Sequence, residues 1–157
     1  LAPRLTYGFS LGAEWNGFDF SCLFQGNAGL QVYWQDKFYM GYINYGDVIN
    51  KEIAEGAWRE GRTNATYPRL LTGLNTLNAQ PSDFWVQNKS YLRLKNVQIG
   101  YKIPKKLLQK LDISQLRLYT SLENMLTFTS YKGIDPEISG TTYPTMKQIT
   151  VGVNVVF

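Results

Sequence analysis

The strongest constraint on this chain is the run Gln148–Phe157. Ile149, Val151, Val153, Val155 and Phe157 recur at period two, while Gln148, Thr150, Gly152 and Asn154 fill the alternate positions and only Val156 breaks the pattern. Successive side chains of a strand point to opposite faces, so the run predicts a strand with one apolar and one polar face. A β-branched strand left as a free edge is an aggregation hazard. A closed membrane barrel removes that edge by pairing its last strand with its first.

The same alternation recurs upstream. Leu5, Tyr7, Phe9, Leu11, Ala13 and Trp15 share a face opposite Thr6, Gly8, Ser10, Gly12 and Glu14. Small residues on the polar face suit a wide, water-facing interior. Asn16-Gly17 follows, a dipeptide that takes φ > 0 at both positions of a two-residue hairpin. The chain then returns through Phe18, Phe20, Cys22 and Phe24, alternating with Asp19, Ser21, Leu23 and Gln25. Trp15, Phe18 and Phe20 cluster beside this turn, where a barrel carries its interfacial aromatics.

A third segment sets Val97, Ile99, Tyr101 and Ile103 against Asn96, Gln98, Gly100 and Lys102. Arg93 and Lys95 precede on its apolar face, which predicts that this half of the strand lies above the hydrocarbon. Pro104 suits the first helical position of a two-turn amphipathic helix over 105–111, which reads as a turn helix at the rim or as a lipid-binding element. In a fourth segment Leu116, Leu118, Thr120 and Leu122 alternate with Arg117, Tyr119, Ser121 and Glu123.

These segments predict an all-β antiparallel meander of five strands, at about 4–15, 18–27, 90–103, 115–128 and 147–157. Each is about ten residues long, enough to cross a bilayer when tilted. The connections run short, long, short, long. Barrels carry short turns on the periplasmic side and long loops outside, so 28–89 and 129–146 are expected to be extracellular and the last strand to end at the periplasm. Within the first long loop a helix is expected over Asp47–Glu60, capped by Asp47, with Val48, Ile49, Ile53, Ala57 and Trp58 on one face.

Composition narrows the chemistry. No run of about 18 apolar residues exists for a transmembrane helix, a test blind to alternating strands. The net charge of +4 is scattered and forms no basic stripe, which disfavours nucleic acid as a partner. His is absent, which removes Ser-His-Asp and Cys-His catalysis and most zinc sites. No catalytic, cofactor or metal site is expected. The single Cys22 reads as a small apolar residue. The sequence starts at Leu1 without Met or signal peptide, as expected of a processed chain or a fragment.

Four charged residues on polar faces, Glu14, Asp19, Arg117 and Glu123, are candidates to line a lumen, by pairing with one another or by meeting substrate. Trp34, Tyr39, Trp58 and Trp85 are candidates to stack on a ligand such as a sugar ring, or to pack loop against loop. Asp135 and Glu137 flank Pro136, a pattern that makes turns more often than calcium or acid–base sites.

The combination Ser90–Pro104 (SYLRLKNVQIGYKIP), Leu116–Phe128 (LRLYTSLENMLTF), Gly133-Ile-Asp-Pro-Glu137, Tyr143-Pro144 and the terminal strand resembles the C-terminal end of the SusC/RagA family, TonB-dependent outer-membrane transporters of Bacteroidetes. Pro3–Phe9 and Trp15–Asp19 fit as well, and the likeness is weakest across 30–80. One departure is Glu123, where the family often has Gln or Gly before Asn124. The resemblance implies the last five strands of a plugged barrel of about 22 strands, with the plug and TonB box outside this chain. It implies a SusD-like lipoprotein and the TonB complex as partners, outer-membrane lipid around the barrel, and an oligosaccharide or peptide as substrate. It also implies that Val153, Val155 and Phe157 form a C-terminal assembly signal. A passive porin or autotransporter end would share these strands, and a soluble β-rich binding module would need a second sheet over Leu5, Phe9, Val151 and Val153.

Overall fold

The computed structural model describes residues 2–33, 42–43, 48–72, 80–109, 112–138 and 143–157, with only the backbone described at 42–43. In chain order its elements are β1 (Leu5–Trp15), β2 (Phe18–Ala28), β3 (Gln31–Tyr33), β4 (Tyr42–Ile43), α1 (Lys51–Gly56), β5 (Leu71–Thr72), a 3-10 turn (Asp83–Trp85), β6 (Val86–Asn88), β7 (Tyr91–Lys102), α2 (Lys105–Leu108), β8 (Gln115–Thr129) and β9 (Gln148–Val156). They form two units, Leu1–Gln31 with Asn88–Phe157, and Val32–Gln87.

The first unit is a five-stranded sheet in the order β1-β2-β7-β8-β9, antiparallel throughout. This is the all-β antiparallel arrangement that the alternation predicts. Asn16 (φ 48°) and Gly17 (φ 86°) make the β1–β2 turn, and the Gly17 carbonyl accepts from the Lys102 amide at 2.8 Å. A Cβ on Gly17 would lie 3.0 Å from the Lys102 carbonyl oxygen.

Register sets the faces. β1 and β2 pair without interruption from Leu5↔Ala28 to Trp15↔Phe18. Phe18, Phe20 and Cys22 then meet Tyr101, Ile99 and Val97, which meet Leu118, Thr120 and Leu122, which meet Val153, Val151 and Ile149. The result is one apolar face, on which Phe9 stacks on Phe24 at 4.9 Å and Phe18 leans on Tyr101 at 4.5 Å. Leu5, Phe9, Leu11, Trp15, Phe18, Ile99, Leu118, Ile149 and Val153 on it are exposed, and Val151 is 80% exposed. Among the described residues no second sheet layer covers this face.

The alternation changes phase once within β7. Between Leu23↔Asn96 and Phe24↔Leu94, β7 carries one residue more than β2, which makes Lys95 a bulge. Leu92 and Leu94 therefore join the apolar face, and Arg93 moves to the polar face opposite Gln25. This corrects the expectation that Arg93 lies on the apolar face. The extra residue shifts the side-chain parity of everything before it.

Pro104 also departs from its expected place. The chain stays on the sheet through Ile103, whose amide donates to the Leu116 carbonyl, so Pro104 caps α2 from outside with extended ψ. α2 is one turn with Leu108 buried and Leu107 exposed; residues 110 and 111 of the expected helix lie outside the described residues.

The second unit holds regular structure where a long loop is expected. β3 pairs with β6, and β4 pairs with β5 in parallel. α1 is shorter than expected and is capped by Asn50, whose Oδ1 accepts from the Glu52 amide at 2.9 Å; Asp47 lies outside the described residues. The helix stops at Gly56 because the chain turns to pair with residues 66 and 67. The Gly56 carbonyl accepts from both of their amides, and a Cβ there would lie 2.6 Å from Thr66 Oγ1 and the Tyr67 ring. Ile53, Ala57 and Trp85 are buried, so part of the expected helix face is core, while Val48 and Trp58 are exposed.

Candidate functional site: two charge clusters on the polar face

Between two ionic clusters the polar face of the sheet is built mostly from uncharged residues, with Glu123 the exception. Glu14 and Asp19 sit directly opposite each other on β1 and β2, a like-charge pairing that costs stability alone. Two cations relieve it. Lys102 lies 3.4 Å from Glu14, and Arg117 reaches across β7 to Asp19 with Nε to Oδ1 at 2.9 Å and a second bond from Nη2 to Oδ2. Gly100 lies between them. A Cβ there would meet Arg117 Nε and Asp19 Oδ1 at 2.6 Å, so the fork needs a glycine on the intervening strand. The Arg117 guanidinium also lies 5.1 Å from the Tyr119 ring centroid, and that ring covers Gly152.

Beyond this cluster Ser21, Gln98, Ser121 and Thr150 line up across four strands, and Asn96 donates to Ser121 Oγ at 2.9 Å. Glu123 takes its place on the same face between Asn96 and Gln148. All four lumen candidates thus share one face. Asp19 and Arg117 bind each other, Glu14 binds Lys102, and Glu123 stands apart from them.

The second cluster forms where the chain after β8 folds back over the start of β7. Arg93, with a 4% exposed side chain, donates from Nη2 to Asp135 Oδ1 at 2.7 Å, from Nη1 to Glu137 Oε2, and from Nε to Thr127 Oγ1 at 2.9 Å. Glu137 also receives Lys95 Nζ at 2.6 Å and the Tyr91 hydroxyl at 2.8 Å. Asp135 accepts from the Glu137 and Thr145 amides at 2.8 and 3.0 Å. Burial pushes the Asp135 carboxyl up, but the Glu137 amide, Arg93 and Thr145 outweigh it and hold the group below the ordinary carboxylate value. Nearby, Lys89 Nζ donates to the Ile138 carbonyl and lies 5.5 Å from the Tyr131 ring centroid. Burial lowers its pKa, with Asp135 opposing. The carboxylate oxygens of 135 and 137 are thus engaged by cations, a hydroxyl and amides, which is loop architecture.

The aromatic candidates lie in the second unit. Trp85 is 3% exposed, with its ring edge-on to Phe84 at 4.7 Å, so it packs within the protein and presents no stacking face for a ligand. Trp58 is half exposed, with the Arg69 guanidinium 5.9 Å from its ring centroid. Trp34 and Tyr39 lie outside the described residues. Val153 and Val155 project from the apolar face of β9, and Phe157 lies beyond the strand, largely exposed.

No protein-family model matches the chain. It is 31% identical to TonB-dependent receptor P3 of Formosa agariphila, over 99% of this chain and 16% of that protein. It is 25% identical to the TonB-dependent receptor SusC of Bacteroides thetaiotaomicron, over 99% of this chain and 15% of that protein. Among solved structures, the RagAB peptide importer in its closed-closed state superposes with a TM-score of 0.76 at 32% identity, over 98% of this chain and 17% of that one. The open-open state gives 0.73 over 99% of this chain. Over nearly its whole length the chain is homologous to TonB-dependent receptors of the SusC/RagA type. It spans about a sixth of the length of the curated relatives it matches.

Within this chain, homologous to SusC/RagA-type receptors, the Arg93 cluster is what sequence reasoning misses as a unit. Asp135 and Glu137 stand out in the sequence, but simple alternation puts their cation Arg93 on the other face. The missed signal is a change of phase: Leu92 and Leu94 are apolar at even positions, whereas Val97, Ile99 and Tyr101 are apolar at odd ones. Two opposite phases in one strand require a bulge between them.

Proposed function

We propose that this chain is the final five strands of the barrel of an outer-membrane importer, a plugged pore of about 22 strands that takes up glycans or peptides. The apolar face meets lipid and the polar face the lumen. The short turns at Asn16-Gly17 and 104–113 face the periplasm, and the long connections 28–89 and 129–146 face outward. The partners are a SusD-like surface lipoprotein and, through the plug, the TonB complex. The protein shapes a passage and catalyses no covalent step.

The observation that carries this reading is the uncovered apolar face. Five strands of alternating sequence present continuous hydrocarbon with no layer packed on it among the described residues. Water-soluble domains seldom expose apolar patches of that extent, and a bilayer is the environment in which it costs nothing. The opposite face suits a lumen, since Glu14 pairs with Lys102 and Asp19 with Arg117, leaving hydroxyl, amide and glycine surface and the Glu123 carboxylate beside them. For substrate, the named RagAB relatives favour peptides.

The test uses the full-length protein in its native membrane. It should fractionate with the outer membrane and migrate faster unheated than boiled on a denaturing gel. Uptake of labelled oligopeptides or oligosaccharides by these cells should stop when TonB is deleted. A full-length product in the soluble fraction, or uptake indifferent to TonB, would sink the proposal.

A further inference from the structure

We propose that Arg93 is a positioning residue that locks the β8–β9 connection against the polar face, making it a fixed wall of the pore mouth. The word pore rests on the function proposed above; the lock itself does not. Four side chains at alternate positions from 89 to 95 grip the segment that follows β8. Lys89 holds the Ile138 carbonyl, Tyr91 and Lys95 hold Glu137, and Arg93 holds both Asp135 and Glu137. Asp135 ties the two limbs of the connection to each other, since its Oδ1 takes the Glu137 amide and its Oδ2 the Thr145 amide. Pro136 between the carboxylates is itself buried.

The arrangement opposes opening for a definite reason. The Arg93 and Asp135 side chains are 4% and 5% exposed, and separating a desolvated pair leaves each charge without a partner. The other ionic cluster differs in kind. Among the described residues Asp19 and Arg117 join strand to strand within the sheet and bind no loop. The Lys95 bulge is what makes the lock possible, because without it Arg93 would project from the apolar face. Movement at the mouth during transport must then occur in segments other than 131–138.

Hydrogen exchange on the detergent-purified full-length protein tests this. In the wild type, amides of residues 131–138 should exchange as slowly as those at the ends of β7 and β8; fast exchange there would overturn the lock. In Arg93→Gln, exchange at 131–138 and 143–146 should rise by about tenfold or more, with β1, β2 and β9 unchanged. Equal acceleration across all strands would mean a general stabilising role and would refute the proposal. Arg93→Lys, which keeps the charge and loses the fork, should fall between the two. Should Arg93→Gln fail to assemble, the isosteric Asp135→Asn/Glu137→Gln variant is read by the same criteria. The heat-modifiable gel shift reports barrel assembly separately, so loss of the lock and failure of the barrel reading give different results.

Discussion

Arg93 and Asp135 lie 42 positions apart and meet at 2.7 Å with both side chains buried. The pairing gives the β8–β9 connection a defined response to acid. In the folded protein Asp135 ionises below its ordinary value of 3.8. A carboxyl depressed by folding contributes stability that is fully present above the unfolded value and is lost as pH falls through the folded one. Protection of residues 131–138 in hydrogen exchange, corrected for the intrinsic rate, should therefore persist at pH 3.8 and disappear only in stronger acid. Asp135→Asn should remove this acid transition. A transition at or above the ordinary value that Asp135→Asn abolishes would contradict the hydrogen-bond geometry.

Gly100 makes a second prediction, because the Asp19–Arg117 fork passes over it. Gly100→Ala places a methyl where guanidinium and carboxylate now meet, so the pair must separate. Overpacking of this kind costs about 1–3 kcal/mol, measured as the urea midpoint of the full-length protein in detergent. In an Asp19→Asn/Arg117→Gln background the same substitution should cost much less. The two effects share one space and should be non-additive.

A third prediction concerns Asn124, which sits on β8 at φ 54° and donates from Nδ2 to the Met146 carbonyl at 3.0 Å. Asparagine and glycine tolerate the left-handed region, and other L-residues lose about 1–2 kcal/mol there. Asn124→Ala should lose both the backbone fit and the hydrogen bond, whereas Asn124→Gly loses only the bond. Unfolding midpoints should rank wild type above Gly and Gly above Ala. Equal midpoints for Gly and Ala would show that the backbone conformation contributes nothing.

These cases mark where the sequence is legible. Strict alternation in 5–15 and 148–157, with Asn16-Gly17 between two such runs, specifies strands, faces and the first hairpin, because period two and positive φ are local properties. Polar-face placement of Asp19 and Arg117 follows from the same parity, but their meeting does not, since it depends on which strands become neighbours and on Gly100 between them. Parity carried past Lys95 from the better-defined half of the strand puts Arg93 on the wrong face, because the bulge has no local signature at that residue. Burial of Ile53 and Ala57 fits the expected helix face, whereas that of Trp85, on a three-residue 3-10 turn, has no periodic signal in the sequence.

The final prediction separates lipid from water on the two faces of one strand. Val151 and Thr150 are neighbours in the middle of β9, with Val151 on the apolar face and Thr150 on the polar one. If the apolar face meets the hydrocarbon, Val151→Lys costs about 2–4 kcal/mol near the bilayer midplane, while a lysine on the lumen side costs little. Full-length Val151→Lys should then fold into lipid vesicles with reduced yield and stability, and Thr150→Lys should resemble the wild type. The ranking reverses if the polar face is the lipid side. It vanishes if both faces are bathed in water, because Val151 is already 80% exposed in the chain by itself and a lysine there would meet no protein. Only an apolar medium outside the chain can make the first substitution costly and the second harmless.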